Sequence, residues 1–352
     1  MRFYHLIVSL FLLGASVACL SAPTEGTDAA PTTEAAGVAR DHPMASFARM
    51  VSGEWRMGTV QADRWRWGPG ERSMRVHTVG FDGGGNPWRE LVVYYWRPDR
   101  KQVCLLGFHP DIPGLGRGVA SGAIVFDGER AEATVELYQP GHLGRNRRAL
   151  GLRWTFDGPD AYHEELLEDS GAGLEPLAEW DYIRFAERNE LLLPEAGEAP
   201  RPSKNLKPFE GLLGQWKAQV DLAGAGAIEV ESTFEWLEYL DVVSLRIVAR
   251  EPEGEPSHVL DAFLYHHVGT DSLQCLALSK SGGVYEGSVA ALEGGGLQME
   301  LRGFEGDRES QHVVHLEVEQ SGRLRQRIWS MDGAQRTLMF DIAHTKLDAG
   351  QH

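Results

Sequence analysis

One pattern occurs twice along this 352-residue chain, and this repetition constrains the fold more than any other feature. The triplet Gly53-Glu54-Trp55 follows the segment 47–51, and a second triplet, Gly214-Gln215-Trp216, follows a similar segment. Each triplet leads through Gly-punctuated segments to a closing aromatic stretch, at 179–184 or 338–342. The spacing between equivalent points is too long for a solenoid repeat. The sequence therefore predicts two copies of one compact domain.

Short strand-like segments dominate both copies. Apolar and polar residues alternate, turn signals such as Asp127-Gly128 separate the segments, and a helical period is almost absent. About nine or ten such strands favour a closed antiparallel barrel, because an open sheet of that size would leave long edges to protect. We predict an all-β fold of two tandem up-and-down antiparallel β-barrels, each preceded by a short helix at roughly 42–51 or 206–213.

The N-terminal segment carries the features of a secretion signal. Arg2 precedes an apolar run that is too short to span a bilayer, and small residues then precede Cys19. Two processing outcomes remain open. Signal peptidase would cleave after Ala18, or Cys19 would be lipidated, because Ser-Val-Ala-Cys resembles a bacterial lipobox in which Ser16 replaces the usual leucine. We favour lipidation and expect a protein of the bacterial cell envelope, an outer-membrane lipoprotein facing the periplasm or the surface.

Composition divides the rest of the chain. The segment after the signal is rich in Ala, Thr, Pro, Glu and Gly, and a proline-bearing segment separates the copies; both compositions are typical of flexible connections. Each copy keeps enough residues to bury a core of its own. The predicted boundaries are 1–18 for the signal peptide, 19–40 for the tether, 41–188 for the first barrel, 189–205 for the linker and 206–348 for the second barrel.

Charge and cysteine usage narrow the partners. The formal net charge of −17 repels phosphate backbones and anionic membrane surfaces, so nucleic acid is excluded and membrane attachment is expected through the N-terminal lipid alone. Cys104 and Cys275 are the remaining cysteines. A disulfide between them would require two barrel interiors to meet, so we predict two buried free thiols.

The residues also resemble a known superfamily. A helical lead-in, Gly-x-Trp on the first strand and an up-and-down run of strands resemble the calycins, which include lipocalins, fatty-acid-binding proteins and nitrobindin-like barrels. The segments 94–100 and 154–164 are similar to an uncharacterised family of bacterial lipocalin-like proteins, closely in the first copy and loosely in the second. The resemblance implies a cavity or a packed barrel, no established activity, and a barrel-closing role for Trp55 and Trp216.

We accordingly predict binding of a small apolar or amphipathic molecule, or a lipid, inside one barrel, without catalytic residues, a metal or a cofactor. The predicted ligand contacts are Tyr95, Trp154, Tyr265 and His344. His344 shares strand parity with the apolar residues of the last strand and should face the interior. Nitrobindin-like barrels carry a haem-ligating histidine near this position, but the motif here lacks its last glycine, which disfavours haem.

Other polar clusters have ordinary explanations. His312 and His315 lie three residues apart, which places them on opposite faces of a strand and prevents shared metal binding. We expect the acidic run 164–169 to lie in a solvent-exposed hairpin and the run 145–148 to lie in a solvent-exposed loop.

Two alternative functions remain open. One is an enzyme that uses a barrel as a reaction vessel, as an isomerase or a haem-dependent detoxifier of reactive nitrogen species. The other is a barrel packed solid with side chains and used as an interaction or scaffold module. The sequence contains no nucleophile elbow, P-loop or His-Glu-x-x-His motif.

Overall fold

The computed structural model describes residues 42–347, except for 52, 83, 86, 113–115, 140–146, 170, 186–203, 223–225, 238–241, 253 and 294. The predicted signal peptide, the lipidation site Cys19, the tether and most of the linker lie outside the described residues. The described part contains 3-10 helices at Ala45–Met50, Pro69–Glu71 and Lys204–Leu212. Within it, no helix combines the length and the apolar character needed to cross a bilayer.

The first barrel has ten antiparallel strands that pair in chain order, and its first and last strands pair to close the sheet. These strands are β1 (Glu54–Met57), β2 (Gln61–Trp67), β3 (Ser73–Phe81), β4 (Pro87–Arg97), β5 (Gln102–Ile112), β6 (Gly116–Phe126), β7 (Arg130–Tyr138), β8 (Arg147–Phe156), β9 (Ala161–Asp169) and β10 (Leu174–Phe185). Pairing of the first strand with the last closes the sheet over residues 54–56 and 183–185, and such closure limits the edge that a sheet of this size exposes.

The second barrel repeats this topology, with β11 paired to β20 across the closure. Its strands are β11 (Gly214–Leu222), β12 (Gly226–Leu237), β13 (Val242–Arg250), β14 (Ser257–His267), β15 (Ser272–Ser279), β16 (Val284–Ala291), β17 (Leu297–Glu305), β18 (Arg308–Val318), β19 (Leu324–Asp332) and β20 (Gln335–Lys346). The predicted all-β fold of two tandem up-and-down antiparallel barrels is confirmed. Both barrels have a short 3-10 helix directly before the first strand.

A buried tryptophan joins each of these helices to its barrel. Trp55 and Trp216 are among the largest fully buried side chains. The indole N–H of Trp55 donates to the carbonyl oxygen of Met50 over 3.0 Å, and that of Trp216 donates to Leu212 over 2.7 Å. Both acceptors belong to the last turn of the preceding helix, where carbonyl groups lack partners within the helix. The indole therefore satisfies the helix end and holds it over the end of the barrel.

The glycine of each triplet is required by the backbone. Gly53 has a φ of +81° and Gly214 a φ of +113°, values that residues with a side chain rarely adopt. A Cβ atom at Gly53 would also lie 2.5 Å from the carbonyl oxygen of Phe185 on β10. Cations of the closing strands complete the arrangement, with Arg184 4.5 Å from the Trp55 ring and Lys346 5.2 Å from the Trp216 ring. The repeated triplet thus closes one end of each barrel in the same way.

The two barrels pack against each other through the outer faces of their sheets. The rings of Phe108 and Tyr265 lie 5.1 Å apart, and those of Phe108 and Phe263 lie 6.5 Å apart. We call the buried apolar set at this contact the interface cluster, which consists of Leu91, Val93, Tyr95, Cys104, Leu106, Phe108 and Val119 of the first barrel and Val242, Phe263, Tyr265, Leu276, Leu278 and Val284 of the second. It is separate from the two interior cores.

Polar contacts flank the interface cluster. The guanidinium of Arg97 lies 2.6 Å from a carboxylate oxygen of Glu286 in the other barrel. The helix Pro69–Glu71 packs against the second barrel so closely that a Cβ atom at Gly70 would lie 2.2 Å from the carbonyl oxygen of Lys280. The relative position of the two barrels is therefore fixed by backbone fit and an ion pair as well as by apolar burial.

Both described cysteines are buried free thiols, as predicted, but they are not equivalent. Cys104 belongs to the interface cluster, whereas Cys275 belongs to the interior core of the second barrel. In the first barrel the neighbouring residue Val103 faces the interior instead. The expectation that both thiols face barrel interiors was therefore wrong for Cys104, because the two cysteines differ in strand parity.

Each barrel has its own closed set of paired strands and its own core. We therefore expect fragments 42–185 and 204–347 each to unfold cooperatively and to give a β-rich circular dichroism spectrum. Each fragment exposes its half of the interface cluster, so we expect the two to associate when mixed. Phe263→Asp should prevent association, because it places a charge at a fully buried apolar site. Calorimetry and sedimentation velocity measure the two effects.

The matched control is Val318→Asp, which adds the same charge at a position that is 40% exposed and outside the interface cluster. This variant should associate like the unchanged fragment. A fragment that is unfolded alone would contradict independent cores, and association unaffected by Phe263→Asp would contradict the interface.

Candidate functional site

The first barrel encloses a cavity of about 350 Å³. Phe47 and Trp55 fill the barrel below it, at the end covered by the 3-10 helix. Toward the opposite end, Phe81, Asp82 and Trp88 line the cavity beside the turn between β3 and β4, and these side chains are partly exposed. The cavity is therefore a blind pocket whose mouth lies at the end away from the helix.

Aromatic side chains form much of the wall. Trp65 stacks on Tyr94 with 5.4 Å between ring centroids and meets Trp154 edge-on at 5.7 Å. Tyr162 stacks on Tyr182 at 4.6 Å. All five line the cavity and are buried from outside solvent. Stacked and edge-to-face contacts between large rings give the pocket rigid walls and a large apolar surface.

A row of polar side chains crosses this wall at one level. We call it the polar arc, which consists of Asp63 on β2, Thr78 on β3, Glu90 on β4 and His109 on β5. Asp63 is directly opposite Thr78 in the strand register, and Thr78 is opposite Glu90. Nδ1 of His109 lies 3.1 Å from a carboxylate oxygen of Glu90. The arc thus places two carboxyl groups and an imidazole along one side of the cavity.

Two further contacts extend the arc around the barrel. The amide nitrogen of Gln61 donates to a carboxylate oxygen of Asp63 over 3.2 Å and to the hydroxyl of Tyr182 over 2.6 Å. Glu164 enters the cavity from β9, where the strand register places it opposite Trp154 on β8 and Trp180 on β10. The cavity therefore combines three inner carboxyl groups with aromatic walls.

Burial shifts the protonation of these groups. It raises the pKa of Asp63 to about 7, and the nearby charge of Glu90 adds to the rise. Burial, followed by the charge of Asp63, raises the pKa of Glu164 to about 8. Burial also lowers the pKa of His109, but its ion pair with Glu90 outweighs this effect, so the pKa of His109 is raised. Asp63 and Glu164 therefore titrate near neutral pH.

The interior of the second barrel is different. Its core is formed largely by aliphatic side chains, with Ser232, His312, Gln326 and His344 as buried polar residues. Nε2 of His344 lies 3.1 Å from the amide oxygen of Gln326 on the neighbouring strand. Burial lowers the pKa of His344 to about 4, so the imidazole is neutral. This hydrogen bond offsets part of the cost of burying a polar ring.

The last strand departs from strict alternation. Leu338 shares parity with His344 in the sequence, but its side chain is 51% exposed. The register between β19 and β20 shifts between Phe340 and Leu338, whereas Phe340 and Ile342 pack on the interior core. A β-bulge at this point therefore turns Leu338 outward.

The predicted ligand contacts separate in the structure. Trp154 lines the cavity of the first barrel. Tyr95 and Tyr265 instead belong to the interface cluster, on the outer faces of their barrels, and Tyr94 is the tyrosine that faces the cavity. His344 lies in the other barrel. The assignment of Tyr95 and Tyr265 to a barrel interior is therefore corrected, because it had the parity of both strands reversed.

Sequence reasoning missed the charged residues of the site. The solvated hairpin expected for run 164–169 is wrong for Glu164, which faces the cavity between Tyr162 and Leu166. Asp63, Glu90 and His109 were not singled out at all. Strand alternation could have identified two of these residues, because alternate residues of a strand share a face. Asp63 lies two residues before an inward-facing tryptophan, and Glu164 lies two residues after an inward-facing tyrosine.

The remaining polar clusters lie outside this cavity. Arg148 pairs with Glu168 over 2.9 Å, and Arg147 pairs with Glu136, whereas residues 145 and 146 lie outside the described residues. Among the residues that the structure describes, no group of three or more His, Cys, Asp or Glu side chains is arranged to hold a metal ion.

Comparison with known proteins adds no assignment. The sequence matches no protein-family model, and no curated protein matches it. The chemistry of the cavity therefore has to be inferred from its own residues.

The raised pKa of Asp63 predicts a pH-dependent cost of folding. In the folded protein the pKa of Asp63 is about 7, above the ordinary value of 3.8. The folded state therefore binds the proton more tightly than the unfolded chain does. This contribution to the free energy of unfolding is lost as the pH rises from about 4 through 7. Asp63→Asn removes this cost. The melting temperature of the variant relative to wild type should therefore be higher at pH 8 than at pH 5.

Differential scanning calorimetry at the two pH values measures this difference. Glu132→Gln is the matched control, since it removes a carboxylate that is 78% exposed on the outside of the same barrel. Its difference from wild type should change little with pH. An equal effect of Asp63→Asn at both pH values would show that the Asp63 pKa is not raised.

Proposed function

We propose that this protein binds a small amphipathic organic molecule in the cavity of its first barrel. The observation that supports the proposal most strongly is the blind, aromatic-walled cavity of about 350 Å³. This volume is at the lower end of the range of about 300–1,000 Å³ for small-molecule sites. Apolar walls with a few convergent polar groups are the usual composition of such sites, because burial supplies affinity and polar groups fix orientation.

In this proposal the second barrel is a supporting domain. Its aliphatic core and the hydrogen bond of His344 favour a packed interior over a ligand chamber. The contact between Nε2 of His344 and the amide oxygen of Gln326 occupies that ring nitrogen, which argues against haem ligation through it. The interface cluster joins this barrel to the outer face of strands that line the cavity.

A place in the calycin superfamily is part of the proposal. Two closed antiparallel barrels with a tryptophan-closed end are compatible with it. We further propose that the chain is a lipid-anchored protein of the bacterial envelope. The features that support this location are the apolar N-terminal run and Cys19.

A second candidate function is acid–base catalysis in the same cavity. It is favoured by two carboxyl groups, Asp63 and Glu164, whose pKa values of about 7 and 8 suit proton transfer near neutral pH. A binder returns its ligand unchanged, whereas an isomerase would alter it. Because an isomerised ligand keeps its mass, NMR spectra of the recovered ligand before and after incubation with the protein distinguish these cases.

Ligand binding is tested by filling the cavity. The neutral fluorophore N-phenyl-1-naphthylamine should bind the wild-type protein with increased emission. Leu152→Trp should weaken binding by at least about tenfold, because this inward side chain lines the cavity and the larger ring occupies ligand space. Fluorescence titration gives both affinities.

Val125→Trp is the matched control, because it adds the same bulk at a position that is 76% exposed on the outside of the first barrel. It should bind the fluorophore like wild type. Equal binding by all three proteins would place the ligand outside the cavity. A stoichiometric Soret shift with hemin that is lost in His344→Ala would favour the haem-dependent enzyme instead.

Lipidation is tested by expression in a Gram-negative host. The wild-type protein should partition into detergent and carry the mass of a diacylglyceryl group, and Cys19→Ser should be soluble or remain uncleaved. Cys104→Ser is the control, because its thiol is buried and should not affect processing. A mature protein that begins at an unmodified Cys19 would contradict the proposal.

A further inference from the structure

We propose that the ligand of the first barrel is a small organic cation, an ammonium group on an apolar body, bound between Asp63 and Glu164. This inference rests on the proposed function and names the chemical class of its ligand. It follows from the balance of charge inside the cavity, from the aromatic walls and from the size of the space.

The cavity has more acid than base. Asp63, Glu90 and Glu164 line its interior, and Asp82 lies near the mouth. Among the described residues that line it, His109 is the single basic side chain, and it lies 3.1 Å from Glu90. The neighbouring contacts of Asp63 are with the neutral residues Gln61 and Thr78. Within the part of the chain that the structure describes, Asp63 and Glu164 therefore face the cavity without a cationic partner.

The arginines of the same strands do not compensate this charge, because they lie on the outer face. Arg64 on β2 contacts Glu54 over 2.7 Å, on the side opposite to Asp63. Arg75 on β3 lies 3.7 Å from Asp261 of the second barrel. These arginines therefore face carboxylates outside the cavity and do not supply a positive partner to Asp63 or Glu164.

The aromatic wall suits the same class of ligand. Trp65, Tyr94, Trp154, Tyr162 and Tyr182 surround the space beside the two carboxyl groups. Tryptophan and tyrosine faces attract cations through the ring quadrupole, and the attraction grows when the cation is desolvated.

The titration of the two carboxyl groups is compatible with a cationic ligand. Burial without a positive partner raises the pKa of Asp63 to about 7 and that of Glu164 to about 8. A bound ammonium group would replace the proton as the counter-charge. An anionic ligand would meet only repulsion from the same groups, and a metal ion lacks a suitable ligand set among the described residues.

Three probes of one shape test the proposal: 1-naphthylmethylamine, the neutral 1-naphthylmethanol and the anionic 1-naphthoate. Calorimetric titration at pH 8.5, above the pKa values of both carboxyl groups, measures their binding to the intact protein. We expect the amine to bind at least about tenfold more tightly than the alcohol, since charge-assisted hydrogen bonds exceed neutral ones. The acid should bind most weakly.

Isosteric variants locate the effect. Asp63→Asn and Glu164→Gln should each lower the affinity for the amine by about fivefold or more and leave that for the alcohol within about twofold. Glu132→Gln is the matched control, because it removes a carboxylate whose side chain is 78% exposed on the outside of the same barrel. The control should retain the preference of wild type for the amine.

The outcomes separate the two proposals. If the alcohol binds as tightly as the amine and Leu152→Trp abolishes both, the cavity binds ligands but the preference for cations is refuted. If the amine is preferred equally by Asp63→Asn, Glu164→Gln and wild type, the cation is bound elsewhere and the inference is also refuted. If N-phenyl-1-naphthylamine binds the wild-type protein but the amine does not, this inference alone is refuted. If neither N-phenyl-1-naphthylamine nor any of the three probes binds, the proposed binding function fails and this inference fails with it.

Discussion

Closure of the sheet is the constraint on which the rest of this structure depends. Because the first and last strands of each barrel pair, every strand has one inner and one outer face, and alternate residues are committed to opposite environments. The buried indoles of Trp55 and Trp216 hold a short helix over one end of each closed sheet. In the first barrel the helix closes one end of the cavity, and the inward-facing side chains of the strands line the rest of it.

The two barrels close in the same way, but different side chains fill their interiors. Inward positions of the second barrel carry mostly aliphatic side chains, together with the hydrogen-bonded pair Gln326 and His344. Inward positions of the first carry large rings that pack edge to face and leave a cavity beside them. Carboxyl groups such as Asp63 and Glu164 also occupy these positions, at an electrostatic cost that appears as their raised pKa values. Groups that are costly to bury and do not serve the core are the expected mark of a functional site.

Much of the fold was predictable from the sequence, whereas the site was not. Turn signals, alternation and the repeated Gly-x-Trp triplet report local backbone preferences, and these preferences were sufficient to predict two closed barrels. To assign a side chain to a face, one must know whether the odd-numbered or the even-numbered residues of its strand point into the barrel. Tyr94 and Tyr95 are adjacent and chemically alike, yet the first faces the cavity and the second faces the other barrel. In a strand that is buried on both faces, apolar residues on either side carry no signal that distinguishes inside from outside.

The same two-sided burial connects the second barrel to the site. On β4, Leu91 and Val93 contact the second barrel, whereas the alternate residues Glu90 and Tyr94 face the cavity. On β5, Phe108 packs in the interface cluster directly beside His109 of the polar arc. The backbone that positions the Glu90–His109 ion pair is thus held from outside by apolar packing and from inside by the aromatic wall. Since interior packing resists small displacements, the second barrel contributes rigidity to the site, although none of its described residues lines the cavity.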